Sequence, residues 1–291
     1  MAYLLPQLIV NGLIAGSIYA LAAAGFALVY YVVKFQYFSH GATMAVAAYS
    51  FFAFVNLLHL NYVMAAMLTI ILSILFTLLK NLLVYRQLRK RKATPTISLI
   101  TSVVVLIFTS SLLLAVFGSS TKRISFYNRT FDFGIVTITL IQVSIIFSAL
   151  LLFLLLGVIF KKTKLGKAMR ASADNREVAQ VVGINPERIY FYTFIISAVF
   201  GAVGGILLGL EQNLYPRMGI PIIIKGFIGS VVGGLGSVPG SIIGGLFIGL
   251  AENIGVLYLP TGYKDLISFS VLLLFLLLRP QGILGVKMRD T

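Results

Sequence analysis

About eight stretches of this sequence are long and apolar enough to cross a lipid bilayer as helices. Because a helix rises about 1.5 Å per residue and the hydrocarbon core is about 30 Å thick, one crossing takes about 20 residues. Within that core the backbone must pair its own polar groups, which favours helices. The stretches lie near residues 7–31, 41–59, 62–84, 96–117, 139–160, 189–210, 222–257 and 264–279. The sequence therefore predicts an all-α, polytopic integral membrane protein, with residues 1–291 forming a single transmembrane domain.

The stretch near 222–257 is too long for one ordinary span and is interrupted. Its sequence GFIGSVVGGLGSVPGSIIGGLFIGLAENIG is dense in glycine and places Pro239 near the middle. Proline has no backbone N–H, so a helix that contains it must satisfy the freed groups elsewhere. We expect a broken or re-entrant element, which gives nine transmembrane helices instead of eight if both halves cross. Two interpretations stay open: the glycines only let helices pack closely, or broken helices line a transport path.

Positive charge is concentrated in a few connections between the apolar stretches. The formal net charge is +15, although only 11% of the residues are charged and 59% are hydrophobic. The basic residues cluster at 86–92, at 161–188, and at Arg279, Lys287 and Arg289. In a multi-pass protein of the plasma (inner) membrane such clusters mark the cytoplasmic side, so no nucleic-acid partner is needed to explain them. Placing all three on one side requires an even number of crossings between Arg188 and Arg279, which favours two short elements in 222–257.

The connection at 161–188, KKTKLGKAMRASADNREVAQVVGINPER, is a polar interruption of an apolar chain. Asp174 precedes Glu177 by three residues, which is the spacing of a capping box. Gly183 is suited to end a helix, because glycine readily adopts the left-handed conformation. The pattern predicts a short helix over 175–182.

The short predicted helix carries three valines on one face. Val178, Val181 and Val182 stand at positions i, i+3 and i+4. Asn185 and Pro186 have the residue types of an N-cap and a first helical residue, so the next membrane helix follows after a very short connection. The segment is either a solvated loop whose lysines fix the topology, or a knob whose valine face docks in the groove of a partner protein. Because a solvated loop does not require an apolar face, we favour docking.

Ionisable residues inside apolar stretches are candidates for the translocation path, because burying a charge is expensive. His40, Lys225 and Glu252 fall in this group, together with the helix-breaking Pro239. Glu252 lies about midway along GGLFIGLAENIGVLYL, and Lys225 is its nearest cationic candidate in sequence. For His40 we favour a helix cap or an interfacial hydrogen bond over proton transfer. Structural roles near span ends are expected for Lys34, Glu211 and Asp265.

Residues with catalytic spacing are absent from the sequence. The chain has no cysteine and two histidines, and its eight carboxylates are dispersed among the spans, so we expect neither a metal cluster nor a catalytic triad. The segment GLGSVPG lacks the lysine and the spacing of a phosphate-binding loop. We therefore expect that this chain catalyses no reaction and binds no cofactor of its own.

Several segments, taken in order, resemble one known family. GSIYALAAAGFALVY and FSHGATMAVAAY come first, then ADN and VGINPERI in the polar connection, GGLGSVPGSIIGGLFIGLAE, and the terminal YKDLISFSVLLLFLLLRPQGILG. They resemble the permease subunits of branched-chain amino acid ABC importers, in particular the H-type of the two paired permeases. The resemblance covers nearly the whole chain, and SHG, VGINP and RPQGILG in this order are fairly specific together.

The resemblance implies partners and a cargo. It implies a second related permease, two cytoplasmic ATPase subunits that bind ATP and Mg, and an extracytoplasmic solute-binding protein. It also implies that the polar connection docks the ATPase. The docking candidates are Asp174, Asn175, Val178, Val181, Val182, Gly183, Asn185 and Pro186. Branched-chain amino acids are the expected cargo.

Other functions stay open at this point. Urea or short amides are the alternative cargo in the same family. An ion-coupled secondary transporter or channel is the alternative from another class, and it requires an ion site for which only Glu211 and Glu252 are available. A membrane scaffold without transport activity is the least favoured.

Overall fold

The computed structural model describes residues 5–126, 129–132, 134 and 136–285. Its helices are α1 Leu5–Val33, α2 His40–Phe52, α3 Tyr62–Lys80, α4 Arg86–Lys90, α5 Pro95–Phe117, α6 Leu140–Lys162, α7 Lys164–Asp174, α8 Arg176–Val181, α9 Pro186–Glu211, α10 Gly219–Gly233, α11 Val238–Gly255 and α12 Lys264–Leu278. Two π-helical segments, Ala53–Leu57 and Asn81–Tyr85, extend α2 and join α3 to α4, and a 3-10 turn at Thr261–Tyr263 precedes α12. The antiparallel strands β1 (Thr130–Asp132) and β2 (Thr137–Thr139) form one small hairpin. The predicted all-α, polytopic fold is confirmed.

The helices match the predicted apolar stretches. Eight helical segments in the described part of the chain are long and apolar enough to span a membrane. The stretch near 222–257 is divided into α10 and α11, as the charge pattern predicted. With 15 residues, α10 is about 22 Å long and therefore shorter than a bilayer core of about 30 Å.

The break between α10 and α11 is made by glycine and not by proline. Gly234 and Gly236 have φ angles of +113° and +93°, which side chains with a Cβ rarely adopt. Pro239 is the second residue of α11, where the missing N–H has no helical partner to lose. Ser237 caps this helix by accepting a hydrogen bond from Gly240 N (3.2 Å). The expectation that Pro239 frees backbone groups inside a span is therefore wrong.

Helix α1 is the centre of the bundle and is mostly buried. It packs against α9, α10 and α11. A Cβ atom on Gly249 would overlap the backbone of Gly16, and one on Gly245 would lie 2.6 Å from Ala20 Cα. The glycines thus bring the α1 and α11 backbones into direct contact, which is the close-packing role that small residues have in membrane helices.

The basic connections meet at one end of the bundle. Arg89, in the first, forms a salt bridge of 2.9 Å with Glu187 at the end of the second. The chain after α12 packs there on the turn between α10 and α11, since Leu284 N donates to Gly233 O (2.9 Å). Lys287 and Arg289 lie outside the described residues. By the distribution of positive charge, this end faces the cytoplasm.

Two helices begin inside the bundle. The His40 ring packs on Gly25, eight residues and therefore about 12 Å before the end of α1. Residues 34–39 thus fold back from the cytoplasmic end, beginning at Lys34, whose φ angle is +64°. Helix α10 starts at the same level, because Gly219 abuts the backbone of Gly41. The sequence did not predict this re-entrant segment, although discontinuous helices of this kind are common around transport sites.

Candidate functional site

The valine face (Val178, Val181 and Val182) is exposed at the cytoplasmic end of the bundle. The three residues are 58%, 87% and 68% exposed, whereas the neighbouring Ala179 is buried. Helix α8 therefore presents an apolar surface that nothing in the described part of the chain covers.

The caps of α8 differ in part from the predicted ones. Asp174 is the last residue of α7, so the predicted capping box of Asp174 and Glu177 is wrong. Asn175 is the N-cap instead, and its side-chain oxygen accepts hydrogen bonds from Glu177 N (2.9 Å) and Val178 N (3.1 Å). The sequence missed α7, whose start is capped by Thr163. Because α7 continues through Asp174, the extended residue between α7 and α8 is Asn175, one position later than predicted.

The junction between α8 and α9 follows the prediction. Gly183 has a φ angle of +85° and ends α8. Asn185 caps α9 by accepting from Glu187 N (3.0 Å) and Arg188 N (3.4 Å), and Pro186 is the first residue of that helix. The valine face is thus joined to a membrane helix by an ordered connection of a few residues.

Helix α8 is also fixed from the side. The Arg176 guanidinium lies 5.8 Å from the centroid of the Tyr190 ring on α9, and that of Arg89 lies 5.1 Å from it. Cation–π contacts of this kind contribute about 0.5–1 kcal/mol at exposed sites. Met169 of α7 is fully buried in the hydrophobic core, which anchors the helix that precedes α8. The valine face therefore sits on a packed support and not on a loose loop.

A second site is a charge cluster on α10, α11 and α12, in which Lys225 and Glu252 are buried and Asp265 is exposed. Lys225 Nζ pairs with Glu252 Oε1 and lies 2.6 Å from Asp265 Oδ1. Ser268 Oγ donates to the same Glu252 oxygen, and Tyr19 OH donates to Glu252 Oε2 at 2.9 Å. Only 1% of Glu252 is exposed. Burying this carboxylate is tolerable because hydrogen bonds and a cation surround it.

The cluster joins the middle of α1 and α10 to the adjoining ends of α11 and α12. Glu252 stands in the last turn of α11, and Asp265 stands in the first turn of α12. A cavity of about 160 Å³ adjoins it, with Lys225, Glu252, Lys264 and Asp265 on one side. Its apolar wall comes from Leu208, Met218, Pro221 and Ile222. Asp265, for which the sequence suggested a structural role at a span end, takes part in the cluster.

His40 lies in the interior and not at the interface that the sequence suggested. It is fully buried, and its Nδ1 lies 3.2 Å from Ser197 Oγ of α9, while Nε2 has no hydrogen-bond partner in the described structure. The position before it, Ser39, is the N-cap residue of α2. His40 therefore joins the re-entrant segment to α9.

Sequence reasoning missed Lys80, which lies next to this region. Its Nζ donates to Ser39 O (2.9 Å) and Thr43 Oγ1 (2.8 Å), and no carboxylate in the described structure pairs with it. The rings of Phe76 and Tyr37 lie 4.6 and 5.4 Å away. A lone cation within the apolar run TLLKNLLVY was the signal that could have identified it.

The four translocation-path candidates do not converge. Lys225 and Glu252 meet directly, whereas His40 lies between α1, α2 and α9. Pro239 is exposed at the cytoplasmic start of α11. The candidates therefore lie in three separate places. Lys225 and Glu252 line the charged cavity, His40 contacts Ser197 in the interior, and Pro239 stands at the start of α11.

Comparison with known proteins gives consistent results over nearly the full length. The family model described as branched-chain amino acid transport system / permease component matches residues 8–276. The high-affinity branched-chain amino acid transport system permease protein LivH of Salmonella typhimurium is 33% identical over 97% of this chain and 96% of its own. The corresponding protein BraD of Pseudomonas aeruginosa is 34% identical over 96% and 95%.

A solved structure is similar in fold. PsaBC from Streptococcus pneumoniae, in complex with Fab, superposes with a TM-score of 0.53 over 97% of this chain and 93% of the other. The sequence identity is 13%, so this likeness concerns the fold alone.

Proposed function

This chain belongs to the family of branched-chain amino acid transport permeases, and from that premise we propose that it moves branched-chain amino acids inward using ATPase subunits docked on its valine face. It is a permease subunit of an ABC importer and a multi-pass membrane protein. We infer that a second related permease, two ATPase subunits holding ATP and Mg, and an extracytoplasmic binding protein complete the transporter.

The observation that carries the docking proposal is the exposed valine face itself. Three large apolar side chains on a capped, supported helix fit the helix-in-groove mode of protein recognition. The face lies at the cytoplasmic end, where an ATP-hydrolysing partner is found. Of the docking candidates, the valines would make the contact, whereas Asn175, Gly183, Asn185 and Pro186 would hold the helix in place. Asp174 would act only as the end of α7.

The connection to the bundle supports a coupling role. Helix α9 begins directly after the valine face, and eleven residues later its Ser197 contacts His40 at the start of α2. A displacement of α8 would therefore be carried along a rigid helix to the re-entrant segment. Coupling through a contiguous packed element of this kind is reciprocal, so cargo in the bundle would also affect the ATPase.

The charged cavity supports an amino acid as the cargo. A free amino acid carries an ammonium and a carboxylate, and the cavity has both lysines and carboxylates beside an apolar wall. Urea and short amides are uncharged, so they would form only neutral hydrogen bonds with these groups, whereas the two charged ends of an amino acid would form stronger, charge-assisted ones. The cavity thus favours a zwitterion with an aliphatic side chain.

The docking proposal is tested by Val181→Asp. A charge placed in an apolar contact costs about 3 kcal/mol, which weakens binding of the ATPase about a hundredfold. Gln180→Asp is the matched control, because it adds the same charge on an exposed position of α8 away from the valine face. We expect loss of ATPase co-purification for Val181→Asp only, with both variants inserted in the membrane. Normal co-purification and stimulation of Val181→Asp would refute the docking assignment.

The cargo is tested by uptake into proteoliposomes that contain the complete complex. We expect ATP-dependent uptake of radiolabelled leucine and none of urea or ribose. Uptake of urea would favour the alternative cargo of this family. Leucine uptake that follows an ion gradient without ATP would favour a secondary transporter.

A further inference from the structure

A pocket of about 560 Å³ lies at the cytoplasmic end, between the α3–α4 junction and the first turns of α9. Its polar wall includes Arg86, Arg188, Asn81 and Asn185, and its apolar wall includes Phe191 and Tyr192. We call it the Arg86–Arg188 pocket. It lies beside the valine face but does not include it.

The charge of this pocket is not balanced within the part of the chain that the structure describes. Its one carboxylate, Glu187, is held by Arg89, whose Nε and Nη2 donate to Oε1 (3.1 Å) and Oε2 (2.9 Å). Within residues 5–126, 129–132, 134 and 136–285, Arg86 and Arg188 make no salt bridge or hydrogen bond through their side chains, and Glu187 attracts Arg86 only from a distance. Two guanidinium groups are therefore available to an anion.

Amide donors accompany the two arginines. Asn81 Oδ1 accepts from Arg89 Nη2 (3.1 Å), and Asn185 Oδ1 accepts from the first backbone N–H groups of α9. Because both oxygens are occupied, each amide offers its NH₂ group, for which the described structure provides no acceptor. The pocket is thus rich in donors and suits a group with several acceptor oxygens, such as a phosphate.

The position of the pocket identifies the source of that phosphate. Leu82 and Leu83 are exposed one turn before Arg86, and Phe191 and Tyr192 are exposed one turn after Arg188. An apolar exposed surface next to basic residues marks the boundary between acyl chains and headgroups. Basic pockets between helices on the cytoplasmic side bind anionic lipid headgroups. A free phosphate would gain nothing from the adjoining apolar surface.

We propose that the Arg86–Arg188 pocket binds the phosphate of an anionic phospholipid in the cytoplasmic leaflet. The two guanidinium groups and the amides of Asn81 and Asn185 contact the headgroup, and the acyl chains lie along Leu82 and Phe191. Asn185 is the N-cap of α9, so the lipid would also hold the start of the helix that follows the valine face.

The test compares two double variants with the same loss of charge. Arg86→Gln with Arg188→Gln removes the pocket cations, and Lys161→Gln with Lys162→Gln removes two exposed cations of the same cytoplasmic region. The complete complex is placed in phosphatidylcholine nanodiscs with increasing phosphatidylglycerol, and lipid binding is read by native mass spectrometry and by thermal stabilisation. We expect the apparent affinity for phosphatidylglycerol to fall at least about tenfold in the arginine variant and to be unchanged in the lysine variant.

Separate arms test a free phosphate, general surface attraction and a protein contact at the same pocket. Inorganic phosphate or glycerol phosphate added to phosphatidylcholine nanodiscs should not reproduce the stabilisation, and equal protection by either would overturn the lipid assignment. An equal loss in both double variants would show general surface attraction and would also overturn it. If the arginine variant instead lost a protein subunit while its lipid response stayed normal, the pocket would be a protein contact. Should the arginine variant not fold, Arg86→Lys with Arg188→Lys must still bind phosphatidylglycerol more weakly than the native chain, because lysine lacks the forked geometry.

Discussion

Replacement of Glu252 by leucine is the sharpest test of the charge cluster. The change removes a carboxylate that accepts from Lys225, Ser268 and Tyr19. Removing one partner of a buried ion pair costs about 3–5 kcal/mol, because the other charge stays buried. Asp265 Oδ1 remains 2.6 Å from Lys225 Nζ and still neutralises part of the lysine charge. We therefore expect a loss of folding free energy at the lower end of this range, about 3 kcal/mol.

Two companion variants separate charge from packing. Glu252→Gln removes the same charge but keeps an acceptor for the lysine and an amide for the tyrosine oxygen, so it should be about 1 kcal/mol less destabilised than Glu252→Leu. Lys225→Met combined with Glu252→Leu removes both charges, and it should be less destabilised than Glu252→Leu alone. Glu177→Gln, an exposed carboxylate on α8, is the control and should have no measurable effect.

The assay must suit a chain without tryptophan or cysteine. Size-exclusion chromatography of a fluorescent fusion after heating measures the folded fraction without either residue. For a chain of this size, about 3 kcal/mol corresponds to a midpoint lowered by about 6 to 12 °C. The stabilising role of the Lys225–Glu252 pair is refuted if Glu252→Leu is as stable as the Glu177 control, or if the double variant is less stable than Glu252→Leu.

Further substitutions test packing and the docking helix. Gly249→Leu should destabilise by at least about 3 kcal/mol because its side chain meets the α1 backbone, whereas Gly157→Leu, with open space around it, should be neutral in the same heating assay. Gly183→Val forces a left-handed conformation at a cost of about 1–2 kcal/mol, so ATPase co-purification should fall while membrane insertion stays normal. Lys161→Gln with Lys162→Gln should keep its orientation in a tag-accessibility experiment, since other cations remain on that side, and an inverted chain would contradict the charge argument.

The residues that the sequence located correctly depend on local physics. The spans follow from hydrophobic length, and the starts and ends of helices at Asn185, Pro186 and Gly183 follow from backbone preferences of single residues. The N-cap of α8 was predicted at Asp174 and lies at Asn175. Both residue types are good caps, so the choice depended on the length of α7, which the sequence did not predict.

The sequence by itself determined the membrane spans, the cytoplasmic basic end and the valine face, because each depends on residues that are close along the chain. Only the tertiary structure decided that Lys225, Glu252 and Asp265 share one site, since their helices meet through packing and not through sequence spacing. It also decided that Lys80 sits in the interior beside the start of α2. The cost or benefit of a buried charge depends on which groups surround it, and those groups come from distant parts of the chain.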